Sequence, residues 1–339
     1  MTSGREKNMK DKKGAWLAGL LMLLLAVVAL SLFQGQVKIN MAELLAGKLT
    51  AQQQGVFWYI RLPRTVVGLL AGGALGISGA VLQGLFANPL ADPGIIGVSG
   101  GAALGAVLAM VTGISAQYFL MTPLAAFLGA LGAVFFTIVL AWHKGRISPV
   151  SLLLAGVAVS VFFGALTSGL LTFAPDKTMH QYLFWMVGGL DYRSWEHIYL
   201  AGPFIITGII ALCFLGRQLN VLSLGDLEAR ALGMKVSCFR IIFLCLVAFV
   251  TAAAVCVSGN IGFVGLIIPH IIRMFVGGDN RLVLPFSALA GGAFLVFCDT
   301  LGRMLFTPVE IRVGIMTSVL GAPYFLYLLK KMGNNSFGE

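Results

Sequence analysis

Ten apolar stretches, following one another along almost the whole chain, decide what this sequence can fold into. They cover approximately residues 16–33, 65–86, 94–111, 118–142, 150–173, 198–215, 236–257, 261–276, 282–301 and 314–329. A helix crossing a bilayer core about 30 Å thick needs ~20 apolar residues, and most of these stretches reach that length. The eighth and tenth are short, and Pro269 interrupts the eighth. A broken segment survives in lipid only where protein or a cavity satisfies its freed backbone groups. Only 11% of the 339 residues are charged, less than half of the ~25% usual in a soluble domain. A globule of this size with so little polar surface would not stay dissolved. Soluble enzymes, nucleic-acid-binding domains and secreted disulfide scaffolds are thereby excluded. The expected fold is an all-α polytopic membrane protein.

The net charge of +10 would by itself fit a nucleic-acid binder. Its distribution fits a membrane protein instead, with lipid rather than nucleic acid around it. Arg5, Lys7, Lys10, Lys12 and Lys13 precede the first stretch, and most other basic residues lie in short gaps between stretches. Cationic loops stay on the cytoplasmic side. With the N-terminus inside and ten crossings, Lys38, Lys48, Arg61, Arg64, Lys177, Arg193, Arg303 and Arg312 fall outside. The other fifteen of the 23 Lys and Arg residues fall inside. This bias predicts ten spans with both termini cytoplasmic. A basic N-terminus then covers 1–14, a single transmembrane domain 15–331 and a cytoplasmic tail 332–339. The first stretch is longer than the 7–15 residue core of a signal peptide and reads as a retained helix.

Little in the sequence points to bond-making chemistry. The five cysteines all lie in apolar stretches without C-x-x-C spacing, and the four histidines are scattered. Neither set predicts a metal site, and no cofactor is expected. There is no Walker A lysine, so the chain carries no nucleotide site of its own. Asp299 and Arg273 lie near stretch ends, and other ionisable groups inside the stretches are few. Proton-coupled transporters need acid or histidine relays at membrane depth, so this scarcity argues against one. No cluster of acids and no Ser/His/Asp set argues for an enzyme. Glycine is dense in the second and third stretches, where Gly72/Gly76 and Gly97/Gly101 have small-xxx-small spacing. Such spacing lets helix backbones approach closely. Tight packing accounts for most of these glycines, and lining of a passage is the other reading. Asn88-Pro89-Leu90-Ala91-Asp92-Pro93-Gly94 reads as a tight cytoplasmic hairpin with Pro93 opening a helix.

Two features ask for more than a structural reading. The first is Ser223-Leu224-Gly225-Asp226-Leu227-Glu228-Ala229-Arg230-Ala231-Leu232-Gly233, in a cytoplasmic gap. Ser223 is placed to cap a helix with Asp226 three residues on. Acidic residues suit the first turn and Arg230 the last, and Gly233 suits the C′ position. A helix of ~2–3 turns is too short to span. It is either a structured connector or a docking helix for a cytoplasmic partner. The second feature is Arg61, Arg64 and Arg303, external against the charge rule. They either snorkel at the interface or form a cationic ring for acidic groups on an external partner.

At Arg61-Leu62-Pro63-Arg64-Thr65, Gly72-Gly73-Ala74-Leu75-Gly76-Ile77-Ser78-Gly79-Ala80-Val81-Leu82-Gln83 and Asn88-Pro89-Leu90-Ala91-Asp92-Pro93, the chain resembles the FecCD family. These are permease subunits of ABC importers for iron–siderophores, haem and cobalamin. The resemblance continues through Leu224-Gly225, Ala229 and Leu232-Gly233, then Gly262-Phe263-Val264-Gly265-Leu266, Pro269-His270 and Arg273. It ends at Gly314-Ile315, Thr317 and Gly321-Ala322-Pro323-Tyr324-Phe325, covering essentially residues 15–331. It implies ten helices per subunit, a homodimer with substrate passing between the copies, two cytoplasmic ABC ATPase subunits and an external substrate-binding protein. It implies residence in the cytoplasmic membrane of a bacterium and no catalytic site in the permease itself. The family's coupling helix matches 223–232, and its docking arginines match Arg61, Arg64 and Arg303. Its short gate-associated helix matches 178–190. Its path-lining helix matches 150–173, where Ser160, Thr167, Ser168 and Thr172 are the polar points, and all four are also ordinary intrahelical hydrogen-bonders.

One departure is Ile311-Arg312, where many family members have Leu-Pro or Ile-Pro after the acid at Glu310. Arg312 adds an external positive charge near Arg303 and joins the expected docking set. A stand-alone secondary transporter or channel is the competing reading, and a membrane-embedded enzyme a third.

Overall fold

The computed structural model describes residues 2–143, 146–306 and 308–336. Lys144, one of the inside charges, and 337–339 of the expected tail lie outside these residues. The described residues form a bundle of helices with one small strand pair. The helices are α1 (Thr2–Phe33), α2 (Met41–Leu45), α3 (Ala51–Gly55), α4 (Leu62–Leu85), α5 (Val98–Val111), α6 (Ile114–Gln117), α7 (Met121–Ala141) and α8 (Pro149–Thr172). They continue as α9 (Asp176–Val187), α10 (Trp195–Phe214), α11 (Gly216–Leu222), α12 (Asp226–Ala231), α13 (Val236–Ser258), α14 (Val264–Val276), α15 (Asn280–Met304) and α16 (Val313–Ser336). A wider π-helical turn, Val56–Arg61, leads into α4. The strands β1 (Trp142–His143) and β2 (Arg146–Ile147) pair antiparallel between α7 and α8.

Every apolar stretch of the sequence carries a helix. Among the described residues seven helical stretches are long and apolar enough to cross a membrane, and Val98–Val111, Val264–Val276 and Val313–Leu328 are shorter apolar helices. The third stretch is shorter than its sequence indicated. Residues Pro93–Ile96 form a 3₁₀ turn, and Gly97, at φ 92°, breaks it from α5. Pro269 lies inside α14 without ending it. The break comes earlier, at Phe263, which takes a left-handed φ of 70°.

Glycine decides which helix sits at the centre. Nearly all of α4 from Pro63 to Leu85 is buried. A Cβ on Gly72, Gly76 or Gly79 would collide with the backbone carbonyl of Gly291, Ser287 or Gly265. Backbone therefore touches backbone where α4 meets α15 and α14, which maximises dispersion contact where lipid offers no hydrophobic drive. Gly101 and Gly129 bring α5 and α7 together in the same way, and Gly156 seats α8 on Ile95. These glycines are packing devices. Around α4, α13 and α15, the outer helices α1, α7, α8 and α10 expose large apolar side chains such as Leu25, Phe135, Leu154 and Phe214. In water such a surface would be untenable, and against lipid or a second apolar surface it is the expected one.

Candidate functional site

At one end of the bundle the sequence-predicted arginines come together, but beneath the surface. Arg61, Arg64 and Arg303 are only 4%, 6% and 7% exposed. Pro63 starts α4 and places Arg64 on its first turn, while Asp299 and Arg303 lie one turn apart on α15. Arg64 donates from Nη2 to Asp299 Oδ1 at 2.8 Å and from Nε to Oδ2 at 3.0 Å. Its Nη1 reaches Glu310 Oε2 at 2.8 Å, and its Nη2 reaches Asp191 Oδ1 at 3.3 Å. Arg303 Nε pairs with the same Asp299 Oδ2 at 3.2 Å, and Arg303 Nη2 donates to Ser31 Oγ at 2.9 Å. The Ser31 hydroxyl lies 2.8 Å from that of Thr65. Arg61 donates to the carbonyls of Leu32, in the last turn of α1, and Val37, in the segment beyond it.

This corrects the expected free cationic ring. A guanidinium out of water needs acceptors for all its donors, and three carboxylates supply them here. Those carboxylates are the residues that sequence reasoning missed. Asp299, Asp191 and Glu310 are 235, 127 and 246 positions from Arg64, beyond any local pattern. The one available signal was the Asp299/Arg303 spacing of four on a helix. Arg193, in the loop before α10, is partly buried, and loss of water lowers its pKa to about 10 although Asp191 pulls the other way. Of the four expected docking residues Arg312 alone remains partly exposed. It contacts Asp191 at 3.3 Å, donates to the Phe184 carbonyl at 3.0 Å and lies 4.5 Å over the Phe184 ring.

The opposite end carries α12, built differently from its sequence reading. Ser223 does not cap it. Ser223 closes α11 and donates to the carbonyls of Leu219 and Gly84. The residue before α12 is Gly225, at φ 115°, with no side-chain cap. Asp226 instead accepts from Arg240 Nη2 at 2.6 Å, and Arg240 also donates to the Ile147 carbonyl at 2.6 Å. α12 is thereby fixed to α13 and β2. Its end follows the reading: Gly233, at φ 81°, donates to Arg230 O while Met234 donates to Ala229 O, a closed C-terminal motif. Within α12 only Ala229 is buried. Leu224, Leu227 and Leu232 stand 60%, 79% and 67% exposed beside exposed Glu228 and Arg230. Three leucines on a rigid projection form an apolar patch with a charged edge, the composition of a partner-binding surface.

The polar points of α8 divide. Thr167 is 2% exposed and donates to its own Phe163 carbonyl, so it turns inward and lines no passage in this chain. Ser160 packs against Gly100. Ser168 and Thr172 lie on the open face, with Thr172 donating to the Ser168 carbonyl at 2.9 Å. That face also exposes Leu154, Val157 and Val161. The next helix, α9, packs against α5 and has only 12 residues, too few to cross a membrane. It includes most of the segment 178–190 and begins two residues earlier. Among the described residues no group of three His, Cys, Asp or Glu could hold a metal, and all five cysteines are free thiols.

Comparison with known proteins places this architecture. A family model described as the FecCD transport family matches residues 23–331. The cobalamin import system permease protein of Halobacterium salinarum is 46% identical over 271 residues, covering 80% of this chain and 72% of that protein. The hemin transport system permease protein of Yersinia pestis is 38% identical over 94% of this chain and 97% of its own. A solved inward-facing conformation of a metal-chelate type ABC transporter superposes with a TM-score of 0.85 at 33% identity, covering 94% of this chain and 99% of that one.

Proposed function

The chain belongs to the FecCD transport family, and from that premise we propose that it is the membrane-spanning permease of an ATP-driven importer for an iron chelate, haem or a related metallo-organic compound such as cobalamin. The observation that carries this reading is α12. It is a rigid helix too short to span, anchored by Asp226–Arg240, presenting three exposed leucines at one end of a bundle that holds no nucleotide motif. Such a permease takes its energy from a partner, and residues 223–233 are where two cytoplasmic ABC ATPases would press. Two copies of the chain would face each other across α8, whose open face carries Ser168 and Thr172. Substrate passes between them, and the permease forms and breaks no covalent bond.

The ten apolar helices and the excess of basic residues on one side support ten crossings with both termini cytoplasmic. The arginine end then faces outward and receives an external binding protein. Buried Arg61, Arg64 and Arg303 form the foundation of that surface. Glu310, Asp191 and Arg312 are its accessible rim, and an acidic group on the partner must compete with Glu310 and Asp191 for the arginines.

Reconstitution tests the reading. In proteoliposomes, uptake of a ferric chelate, haem or cobalamin is expected only when the cognate ATPase and ATP are present. Uptake by the permease alone would replace the importer with a stand-alone transporter or channel.

A further inference from the structure

Arg312 joins two elements that sequence order keeps far apart. Its backbone carbonyl accepts from the Ile315 amide at 3.0 Å, so Arg312 opens α16. Its side chain crosses to the C-terminal turn of α9. There the Gly188 amide bonds Trp185 O at 3.1 Å and does not continue the helical pattern to Phe184 O. Arg312 Nη1 donates to Phe184 O at 3.0 Å, and its guanidinium lies over one part of the Phe184 ring, which otherwise stays exposed. A cation at a helix C-terminus is also favoured by the helix dipole. Arg312 Nη2 pairs with Asp191, and the other oxygen of Asp191 meets Arg64. One carboxylate is thus shared between the buried arginine network and the end of α9.

The inner side of this turn is fixed by backbone alone. Gly189 donates to Ser258 O at 2.9 Å, and Gly314 leaves room for nothing larger beside Val187 O. Most of the other end of α9 is open, with Lys177, Met179 and His180 exposed and Thr178 alone buried. α9 is therefore a lever seated at its C-terminal end, with Arg312 as the outer clasp on that seat.

We propose that Arg312 and Asp191 are positioning residues for α9, setting the angle at which this short helix leaves its C-terminal seat. The inference rests on α9 being the gate-associated segment of a permease. Arginine suits the task where lysine would not, because it bonds a carbonyl, pairs a carboxylate and stacks on a ring at once.

Amide hydrogen exchange on the full-length permease in nanodiscs tests this, read peptide by peptide for wild type, Arg312→Ala, Arg312→Lys and Asp191→Asn. Arg312→Ala is expected to speed exchange in the C-terminal half of α9 about tenfold, the scale of one lost hydrogen bond and one stacked cation. Arg312→Lys should restore part of the protection, and Asp191→Asn should act in the same direction as Arg312→Ala. α4 and α15 should keep wild-type exchange in the Arg312 variants. With the ATPase added, Arg312→Ala should raise the ATP hydrolysed per substrate carried. Wild-type exchange of α9 in Arg312→Ala would overturn the clasp. Equal loosening of α4 and α15 would overturn it too, by reducing Arg312 to a general structural role. Absence of ATP-driven uptake by wild type would defeat the importer reading instead, and the exchange data would still decide the clasp.

Discussion

The two ends of the molecule hold similar charged residues and use them in opposite ways. At the arginine end Arg64, Arg303 and Asp299 are buried and mutually satisfied, with Asp191 and Glu310 closing the network from the rim. At the α12 end one pair, Asp226–Arg240, pins a helix whose outer face is left apolar and open. In the first case charge is the internal structure and the partner surface is a thin rim. In the second, charge is the anchor and the surface is leucine. A charged residue in a sequence marks a place where polar work is done. Whether that work faces inward or outward is decided by which acids the fold brings alongside.

The sharpest way to break this contrast is to remove Asp299. Asp299→Ala leaves two buried guanidiniums short of their shared carboxylate, and removing one partner of a buried ion pair costs about 3–5 kcal/mol. Thermal unfolding of the purified permease in nanodiscs should show that loss as a large fall in midpoint. A midpoint near wild type would mean the arginines are satisfied by water and the network is not structural. Next comes Asp226→Asn. It strips the charge from the anchor of α12 while Arg240 keeps the Ile147 carbonyl, so the expected loss is smaller, about 1–3 kcal/mol. Here ATP-driven uptake should fall further than stability does. If both fall in parallel, α12 is only a connector.

Leu227→Glu tests the outer face directly. A fully solvated site of this kind moves stability by no more than about 0.5 kcal/mol, so folding and insertion should be unchanged. Uptake with the ATPase present should drop about tenfold, since a charge on an apolar contact loses roughly 1.4 kcal/mol or more of association. Full uptake by Leu224→Glu/Leu227→Glu together would remove α12 from the coupling site.

The same contrast explains what was legible in the sequence. Apolar length placed the helices, because membrane thickness alone sets it. Gly233 was legible because a left-handed C′ position is a local demand, met by the residue itself. Ser223 was misread because Gly225 already permits the sharp entry into α12, which frees the serine to close α11 instead. Thr167 was misplaced because α8 is apolar all round and has no polar face to reveal its orientation. The burial of Arg61, Arg64 and Arg303 was illegible for a different reason. The partners of Arg64 lie on α15 and in the loops before α10 and α16, and those of Arg61 and Arg303 include groups at and beyond the end of α1. Pairing across such separations is a property of the packing. Arg312, a departure that joined the expected docking set, is the residue that reaches from α16 to α9.

The smallest effect is expected at Asp279–Arg281, a solvent-facing pair at the α12 end and a control for both anchors. Asp279 caps α15, accepting from the Arg281 amide at 3.1 Å and the Arg281 side chain at 2.7 Å, and it also binds Asn220 Nδ2 at 2.7 Å. The Arg281 hydrogen bond, first among its neighbours, holds its carboxyl well below the usual carboxylate range. A depressed folded pKa means that the contribution is complete above the unfolded value of about 4 and is lost as pH falls through the folded one. Arg281→Gln should therefore lower the unfolding midpoint at pH 7 by at most about 2 °C. Because the pair is exposed, 1 M salt should erase most of that difference, and acidification below pH 4 should narrow it further. Neither treatment should rescue Asp299→Ala, whose cost arises out of reach of the solvent. If salt narrows both differences alike, the arginine end is as wet as the α12 end and the contrast between them fails.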